Sequence, residues 1–412
     1  MTTAAMSMTH PRTAPGLERV TVALLLCFVA SLQISIAAAN ILLALMMVCW
    51  IAQIVQERTR PAVPPFFWPL AAYAAVTLIV SVFSLDPRTS LIDDKQLVLF
   101  VIVPAVYQIA RGERAALVVD VIVSVGAASA AYGIVQYGLL HYDNLGRRPE
   151  GAMSHYMTYS GLLMLVICAA AARLIFGRRG RTWPALVMPA LVVALALTLG
   201  RSAWIGASIA IALLLALKDL KLTMLLPVFI AILFAIAPGT VTRRVMSIFD
   251  PQEPTNQDRL AMIEIGARII RDHPLTGVGP NMIPRVYEQY RPDYAINPVN
   301  PHLHNVPLQV AAERGVPAAL VWLGFVVSLL VALFRLFRTQ SNASTRSGPS
   351  PPSSRDDTVP TAAALAAVAA MLAAGLFEYN FGDSEFLMLF LVLVTLPFAA
   401  ARDEHATASA RA

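Results

Sequence analysis

The sequence predicts an all-α protein whose helices cross a membrane many times, and three observations support this fold class. Of its 412 residues, 57% are hydrophobic and only 14% are charged, against about 25% charged residues in soluble domains. The apolar residues gather in runs that approach the roughly 20 residues a spanning helix needs. Many of the 28 prolines lie inside or beside these runs, where membrane helices tolerate them better than soluble ones. Lipid is therefore the expected solvent for the chain, which we treat as one integral membrane domain (1–412).

The apolar runs number about twelve when judged by the length of a membrane span. The segments 184–199 and 202–217 are separated only by Gly200 and Arg201, so they form two crossings, one broken helix or a re-entrant pair. The first run follows a polar start and lacks a small-residue cleavage site, which predicts a retained helix instead of a signal peptide. The runs lie near 20–37, 40–56, 66–84, 96–111, 115–138, 157–176, 184–199, 202–217, 222–238, 315–337, 361–377 and 384–400.

The positions of lysine and arginine orient these spans. With the N-terminus in the cytoplasm, 18 of the 31 basic residues fall on the cytoplasmic side, and eight others lie in the long segment 239–314. The short loops on the other side then hold Arg88, Lys95, Arg147, Arg148 and Arg201. Cytoplasmic loops of membrane proteins carry such an excess of positive charge. We expect both termini in the cytoplasm and two crossings over 184–217, and the net charge of +6 is no sign of nucleic-acid binding.

Three connections between the runs are long. Residues 139–156 and 239–314 are predicted to lie outside the cytoplasm, whereas the Ser- and Pro-rich segment 338–360 is typical of a disordered cytoplasmic linker. Within 239–314, the spacing of Leu260, Ile263, Ile265, Ala267 and Ile270 predicts a short amphipathic helix over 258–272 on the membrane surface. A proline at 274 ends this helix, and glycines at 277 and 279 predict a turn.

Arg201 is the most unusual charged residue, because it stands between two apolar runs. An arginine deep in a membrane helix costs roughly 2.5–3.5 kcal/mol or more. Such a residue normally faces a polar cavity or a bound anion. The alternative is an arginine at a helix end whose guanidinium reaches the membrane surface.

Histidines gather on the same predicted side of the membrane. His302 and His304 stand beside Asn305, just before a predicted helix. A neutral imidazole can accept a proton from a hydroxyl nucleophile. The alternative is a solvated polar residue at the membrane interface, and spacing alone leaves both readings open.

These residues resemble a known family. His304 and Asn305, then nine residues and Gly315, resemble the signature of the O-antigen ligase and O-antigen polymerase superfamily, except that its last position is Ala318 here. The segment LGRSAW (199–204) is similar to the family's arginine–tryptophan segment, and residues 258–280 are similar to its loop segment with Pro-Leu-x-Gly-x-Gly. The stretches 147–161 and 377–385 resemble family stretches less specifically.

The resemblance implies a reaction at the periplasmic face of the bacterial inner membrane. Such ligases move a glycan from undecaprenyl pyrophosphate to a sugar hydroxyl of lipid A–core, in lipopolysaccharide biosynthesis. The family is inverting, uses no metal or other cofactor, and is similar to the GT-C class of membrane glycosyltransferases. The expected partners are therefore the lipid-linked donor, lipid A–core and membrane lipids.

The resemblance also implies roles for single residues. His304 is the expected general base, and Arg201 and Arg259 are the first choices for the pyrophosphate, since a guanidinium matches phosphate oxygens. No Asp-x-Asp metal motif occurs in the sequence, which leaves arginines to stabilise the leaving group. Gly315 is an expected structural position of the motif. Arg147 and Arg148 are second choices for pyrophosphate or acceptor. Asn305, His302, Arg291 and Glu378 are candidate substrate-binding residues. Alternatively, Asn305 orients the base, His302 is the base or a space-filling neighbour, and Glu378 pairs with arginines.

Other functions remain open from the sequence. An O-antigen polymerase, which extends repeat units on the carrier lipid, shares the family and topology. A protein-glycosylating relative is disfavoured because its usual extra C-terminal portion is not seen in the sequence. A transporter of carrier-linked glycan is disfavoured too, because its ionisable residues would be expected along the whole membrane depth and not on one side.

Overall fold

The computed structural model describes residues 15–346 and 358–409, and within them every regular element is a helix. Among these residues, seven helices are long and apolar enough to cross a membrane, and three shorter apolar helices (Phe67–Val82, Thr182–Leu197 and Leu220–Ile236) accompany them. The prediction of an all-helical polytopic membrane protein is thus confirmed, whereas the count of about twelve spans and the GT-C-like arrangement stay predictions. The α-helices are α1 (Pro15–Ser31), α2 (Ile36–Glu57), α3 (Phe67–Val82), α4 (Pro87–Asp93), α5 (Ile102–Ile109), α6 (Glu113–Gly138), α7 (Tyr156–Phe176), α8 (Thr182–Leu197), α9 (Arg201–Lys218), α10 (Leu225–Ile236), α11 (Gly239–Met246), α12 (Pro254–Asp272), α13 (Ile283–Tyr290), α14 (Val306–Arg346), α15 (Thr358–Gly375) and α16 (Ser384–Ser409).

The centre of the bundle is formed by α7, α15 and α16, which bury most of their surface inside the protein. Helix α15 packs against both α7 and α9, and α16 packs against α5 and α15. Much of α15 is alanine, and these small side chains allow close approach of neighbouring helices. The outer helix α2 exposes most of its apolar surface, as expected of a helix that faces lipid.

Two of the predicted runs are not continuous α-helices. The run 96–111 begins as a 3₁₀ helix (Asp94–Val101) that leads into α5, and the run 222–238 begins as a 3₁₀ helix (Leu220–Met224) that leads into α10. Each α-helical part has a proline in its first turn, Pro104 and Pro227. A proline ring collides with the carbonyl four residues before it in an α-helix. The turn before each proline therefore adopts 3₁₀ geometry.

The pair of runs around Arg201 forms two separate helices, α8 and α9. Residues 198–200 connect them, and Leu199 adopts the left-handed conformation (φ 56°). Helix α9 therefore starts at Arg201, which places this guanidinium at a helix terminus and not in the middle of a span.

The segment 239–314 contains α11, α12 and α13, and α14 begins inside it. The amphipathic helix predicted for 258–272 is confirmed as part of α12, which ends at Asp272 as expected. Its buried face carries Met262, Ile265 and Ile269, which form a small second core with α13. The sequence also places Leu260, Ile263 and Ala267 on the buried face, which is wrong, because all three are exposed.

A tight joint connects the loop after α12 to α14. Gly315 interrupts α14 with a non-helical backbone (φ 79°, ψ 165°). The amides of Val278 and Gly279 donate to the carbonyls of Ala312 and Glu313, at 3.0 and 2.8 Å. A Cβ at Gly315 would lie 2.2 Å from the carbonyl oxygen of Leu275. Two motifs that are far apart in the sequence thus form one structural unit.

The predicted linker 338–360 is shorter at both ends than expected. Helix α14 continues to Arg346 and α15 begins at Thr358, so residues 338–346 and 358–360 are helical. The remaining part, 347–357, lies outside the described residues, and so does the polar N-terminal stretch 1–14.

Candidate active site

Four helix ends meet at one end of the bundle. They are the start of α9 with Arg201, the first turns of α12 with Arg259, the residues His304 and Asn305 just before α14, and the segment after α15 with Phe377. Residues from all four line one cavity of about 350 Å³. We call it the arginine cavity. More than a hundred residues of sequence separate the first of these elements from the last, so only the fold brings them together.

The walls of the arginine cavity combine cations with a large apolar surface. Its polar lining includes Arg201, Arg259, His304 and Asn305. Its apolar lining includes Ile205, Phe249, Leu260, Ile263, Leu303, Leu376 and Phe377. An amphiphilic molecule with an anionic head fits this chemistry, because guanidinium groups bind phosphate oxygens and the apolar walls exclude water.

Arg201 is almost completely buried, with 4% of its surface exposed. Its guanidinium donates to the carbonyl of Ser247 at 3.1 Å and to Glu253 Oε2 at 3.4 Å. Its Nε has no hydrogen-bond partner among the described residues. If Arg201 were an anchor at the membrane interface, its guanidinium would be exposed. Its burial beside a cavity disfavours that alternative.

Arg259 reaches the same cavity from α12 without an ion pair to a described carboxylate within 4 Å. Its guanidinium lies over the ring of Phe377, 5.9 Å from the ring centre. Burial lowers the pKa of this group, and the nearby charge of Glu378 opposes that effect. An arginine stays protonated at neutral pH in either case, so Arg259 presents a partly desolvated positive charge to the cavity.

His304 is held by a carboxylate. Its Nδ1 lies 3.0 Å from Oε2 and 3.1 Å from Oε1 of Glu378. The contact with His304 opposes the effect of burial and places the pKa of Glu378 well below its usual range, so the carboxylate is ionised. A carboxylate that accepts the Nδ1 proton leaves Nε2 as the free basic nitrogen. The sequence placed Glu378 among the substrate-binding candidates, whereas the structure gives it a contact to the candidate base.

His302 lies beside both His304 and Glu378, with its Nε2 3.9 Å from Oε1 of Glu378. Its ring packs edge-to-face on the ring of His304, with 4.1 Å between the centres. It faces a second cavity of about 200 Å³, the inner cavity, which is also lined by Thr158, Ser202 and Asp383. Burial, with the neighbouring His304, lowers the pKa of His302 to about 4, so this imidazole is neutral at pH 7.

The two histidines and Glu378 also have the composition of a metal site. One donor atom from each lies within 4.8 Å of the others. Two imidazoles and a carboxylate are ligands that zinc and related ions accept. The sequence predicts no metal, and a chelator tests that prediction at this cluster.

Asn305 has a structural role that the motif did not reveal. Its side-chain oxygen accepts from the amide of Leu308 at 2.9 Å, and its Nδ2 donates to the carbonyl of Leu376 at 3.0 Å. The first contact is an N-cap of α14, and the second connects this cap to the segment that carries Glu378. Asn305 therefore fixes the relative positions of the base and its carboxylate.

The remaining candidates lie outside the arginine cavity. Arg147 and Arg148 line a separate cavity of about 300 Å³ in the 139–156 loop, where they lie over the rings of Tyr142 and Tyr156. Arg291 is exposed at the end of α13 and lines none of these cavities. The structure thus groups Arg201, Arg259, His304 and Asn305 in one cavity. Arg148 lines the other cavity but is close enough to interact electrostatically with Arg244 and Glu253.

Two charged residues at the site were missed by sequence reasoning. Glu253 bonds Arg201 through one oxygen and Arg244 through the other, with 2.6 Å to Arg244. The position of Glu253 directly before Pro254 resembles a helix start, which was a usable signal. Nothing in the sequence distinguished Arg244 from other loop arginines.

The fold and the site define the class of this protein: a polytopic, all-helical membrane protein with cations and a carboxylate-held histidine at one end of its bundle. Residues 185–323 match the family model described as O-Antigen ligase. The match supports membership of the chain in the O-antigen ligase superfamily, as the motifs predicted. It covers the helices α9 and α12, the joint at Gly315 and the first part of α14. No curated protein matches the chain.

Proposed function

We propose that this protein is a glycosyltransferase that ligates O-antigen glycan from undecaprenyl pyrophosphate to a sugar hydroxyl of lipid A–core at the periplasmic face of the inner membrane. The observation that carries the proposal is the arginine cavity, which Arg201, Arg259 and His304 line together. Had these three groups been far apart, no diphosphate could have met both the cations and the base. The family match supports the same class of reaction.

The proposed reaction is a single displacement. The acceptor hydroxyl gives its proton to Nε2 of His304 while its oxygen forms a bond to the anomeric carbon of the glycan. The bond from that carbon to the phosphate oxygen breaks, and its electron pair leaves with the lipid pyrophosphate. Attack from the face opposite the leaving group inverts the anomeric configuration.

The charged residues act on the groups where charge develops. Arg201 and Arg259 stabilise the negative charge on the departing pyrophosphate, in a site whose apolar walls weaken competition from water. Glu378 stabilises the imidazolium that forms when His304 takes the proton. A positioned base contributes about 10²–10⁴ in rate. The apolar lining near Leu260 and Ile263 suits the first isoprene units of the carrier.

A purified assay with carrier-linked glycan and lipid A–core tests the function. Glycan on lipid A–core supports the ligase, longer carrier-linked chains identify the polymerase, and movement of the donor across a vesicle membrane without transfer identifies a transporter. The His304→Ala variant, inserted normally, is expected to retain under about 1% of the activity. Near-normal transfer by this variant would remove the base from the mechanism.

A further inference from the structure

Glu253 forms ion pairs with two arginines at the site. Its Oε1 accepts from Arg244 at 2.6 Å and its Oε2 accepts from Arg201 at 3.4 Å. Only 14% of its side chain is exposed. Although burial raises the pKa of this carboxyl, the contacts with Arg244 and Arg201 outweigh burial and lower it. Glu253 is therefore ionised at neutral pH.

The same side chain begins the helix that carries Arg259. Glu253 Oε2 accepts from the amide of Asn256 at 3.1 Å, which is an N-cap of α12. The Asn256 side chain in turn donates to the carbonyls of Ser247 and Asp250. Arg259 lies on the second turn of this helix. One carboxylate thus fixes both the direction of Arg201 and the starting point of the helix that presents Arg259.

The group formed by Glu253 and its two arginines has a net positive charge. Arg201 and Arg244 are both more than nine-tenths buried, and the described residues give them one shared carboxylate as ion-pair partner. The Nε atoms of both lack a hydrogen-bond partner in the described part of the chain. Two desolvated guanidinium groups repel each other at short range. The carboxylate between them keeps them close, and the excess positive charge is left for an anion.

We propose that Glu253 is a positioning residue, which holds Arg201 and the start of α12 so that Arg201 and Arg259 converge on the diphosphate of the donor. It acts through these arginines and does not touch the substrate. The proposal rests on the proposed function, because it assigns the arginine cavity to a diphosphate. This role accounts for the presence of an anionic residue beside a site that binds an anion.

Inorganic pyrophosphate, as an inhibitor of transfer by the full-length protein, is the probe for this proposal. Glu253→Gln keeps an oxygen that caps α12 but removes the charge that holds the arginines. We expect the inhibition constant for pyrophosphate to rise roughly ten- to a hundredfold, the size of effect known for residues that orient the ligands of a metal ion. The KM for lipid A–core should stay within about twofold, since a purely structural defect would impair both substrates alike.

A second variant keeps the test valid if Glu253→Gln folds poorly with two unpaired buried charges. The double variant Glu253→Gln/Arg244→Gln leaves one of them, and it is compared with Arg244→Gln alone. The double variant is expected to bind pyrophosphate at least tenfold more weakly than the single one. Glu264→Gln is the matched control, because Glu264 lies on the same helix in a half-exposed pair with Arg268.

Two results would overturn the inference. Equal inhibition constants for the double variant and Arg244→Gln would show that Glu253 positions nothing. Tighter inhibition in Glu253→Gln would show that the carboxylate competes with the diphosphate instead of preparing its site. Arg201→Ala separates these failures from a failure of the proposed function: if it binds pyrophosphate as the wild type does, the assignment of the arginine cavity itself is wrong.

Discussion

Replacement of Glu378 by glutamine tests how far the catalytic power of His304 depends on its carboxylate. The two groups are 3.0 Å apart, and only 16% and 14% of their side chains are exposed, so solvent screens their interaction weakly. Glutamine keeps an oxygen that can accept the Nδ1 proton and thus keeps the ring oriented. The variant removes the charge that stabilises the protonated imidazole.

The size of the effect follows from this geometry. A hydrogen bond to a charged group contributes about 1.5–3 kcal/mol. If this contribution is realised fully when His304 takes the proton, the rate of transfer falls roughly 10- to 150-fold. The loss should be smaller than that of His304→Ala, because the base itself remains in place.

The measurement is single-turnover transfer of carrier-linked glycan to lipid A–core, with both variants and their combination. Once His304 is absent, the carboxylate has no base to assist, so the double variant should be no slower than His304→Ala alone. Unchanged transfer by Glu378→Gln would contradict the pairing. A loss larger than that of His304→Ala would mean that Glu378 acts on the substrate directly.

Three further changes probe the cations, the metal question and the joint in α14. Arg201→Lys keeps a positive charge but loses the planar fork, so kcat/KM for the donor should fall about tenfold, and full activity would reduce Arg201 to an interface anchor. A chelator should leave transfer unchanged, whereas a loss that a divalent ion restores would assign a metal to His302, His304 and Glu378. Gly315→Ala should destabilise the protein by about 1–3 kcal/mol, because its backbone conformation is open essentially to glycine alone. Gly324→Ala, in the same helix with open space around the new methyl group, is the control in thermal unfolding, and equal unfolding temperatures would contradict the role of the joint.

Helices and their approximate edges were accessible from the sequence. Apolar runs long enough to cross a membrane are a local property, because the backbone in lipid must satisfy its own hydrogen bonds within one helix. The amphipathic helix before Pro274 was readable for the same reason. The two 3₁₀ starts were missed, since the steric effect of Pro104 or Pro227 on the preceding turn depends on where the helix is forced to begin.

The candidate site was predictable only in part. His304, Arg201 and Arg259 were found through motif positions and through the cost of placing arginine beside lipid. The role of Asn305 as an N-cap, and the contacts of Glu378 and Glu253, were not found. The N-caps formed by Asn305 and Glu253 are local contacts, and their positions before a helix start could have indicated them. The contacts of Glu378 with His304 and of Glu253 with Arg201 join segments that are distant along the chain, and spacing contains no information about them.

The sequence by itself determined that this protein is a helical membrane protein with an unusual concentration of arginine and histidine toward one side. The length of an apolar run and the distribution of charged residues are properties of the linear sequence, so they can be recognised without a fold. Only the tertiary structure decided which cations share a cavity, that Arg147, Arg148 and Arg291 do not line it, and that one carboxylate holds Arg201 while another holds His304. These outcomes depend on distances of a few ångströms between helix ends, over which burial strengthens or removes an electrostatic interaction.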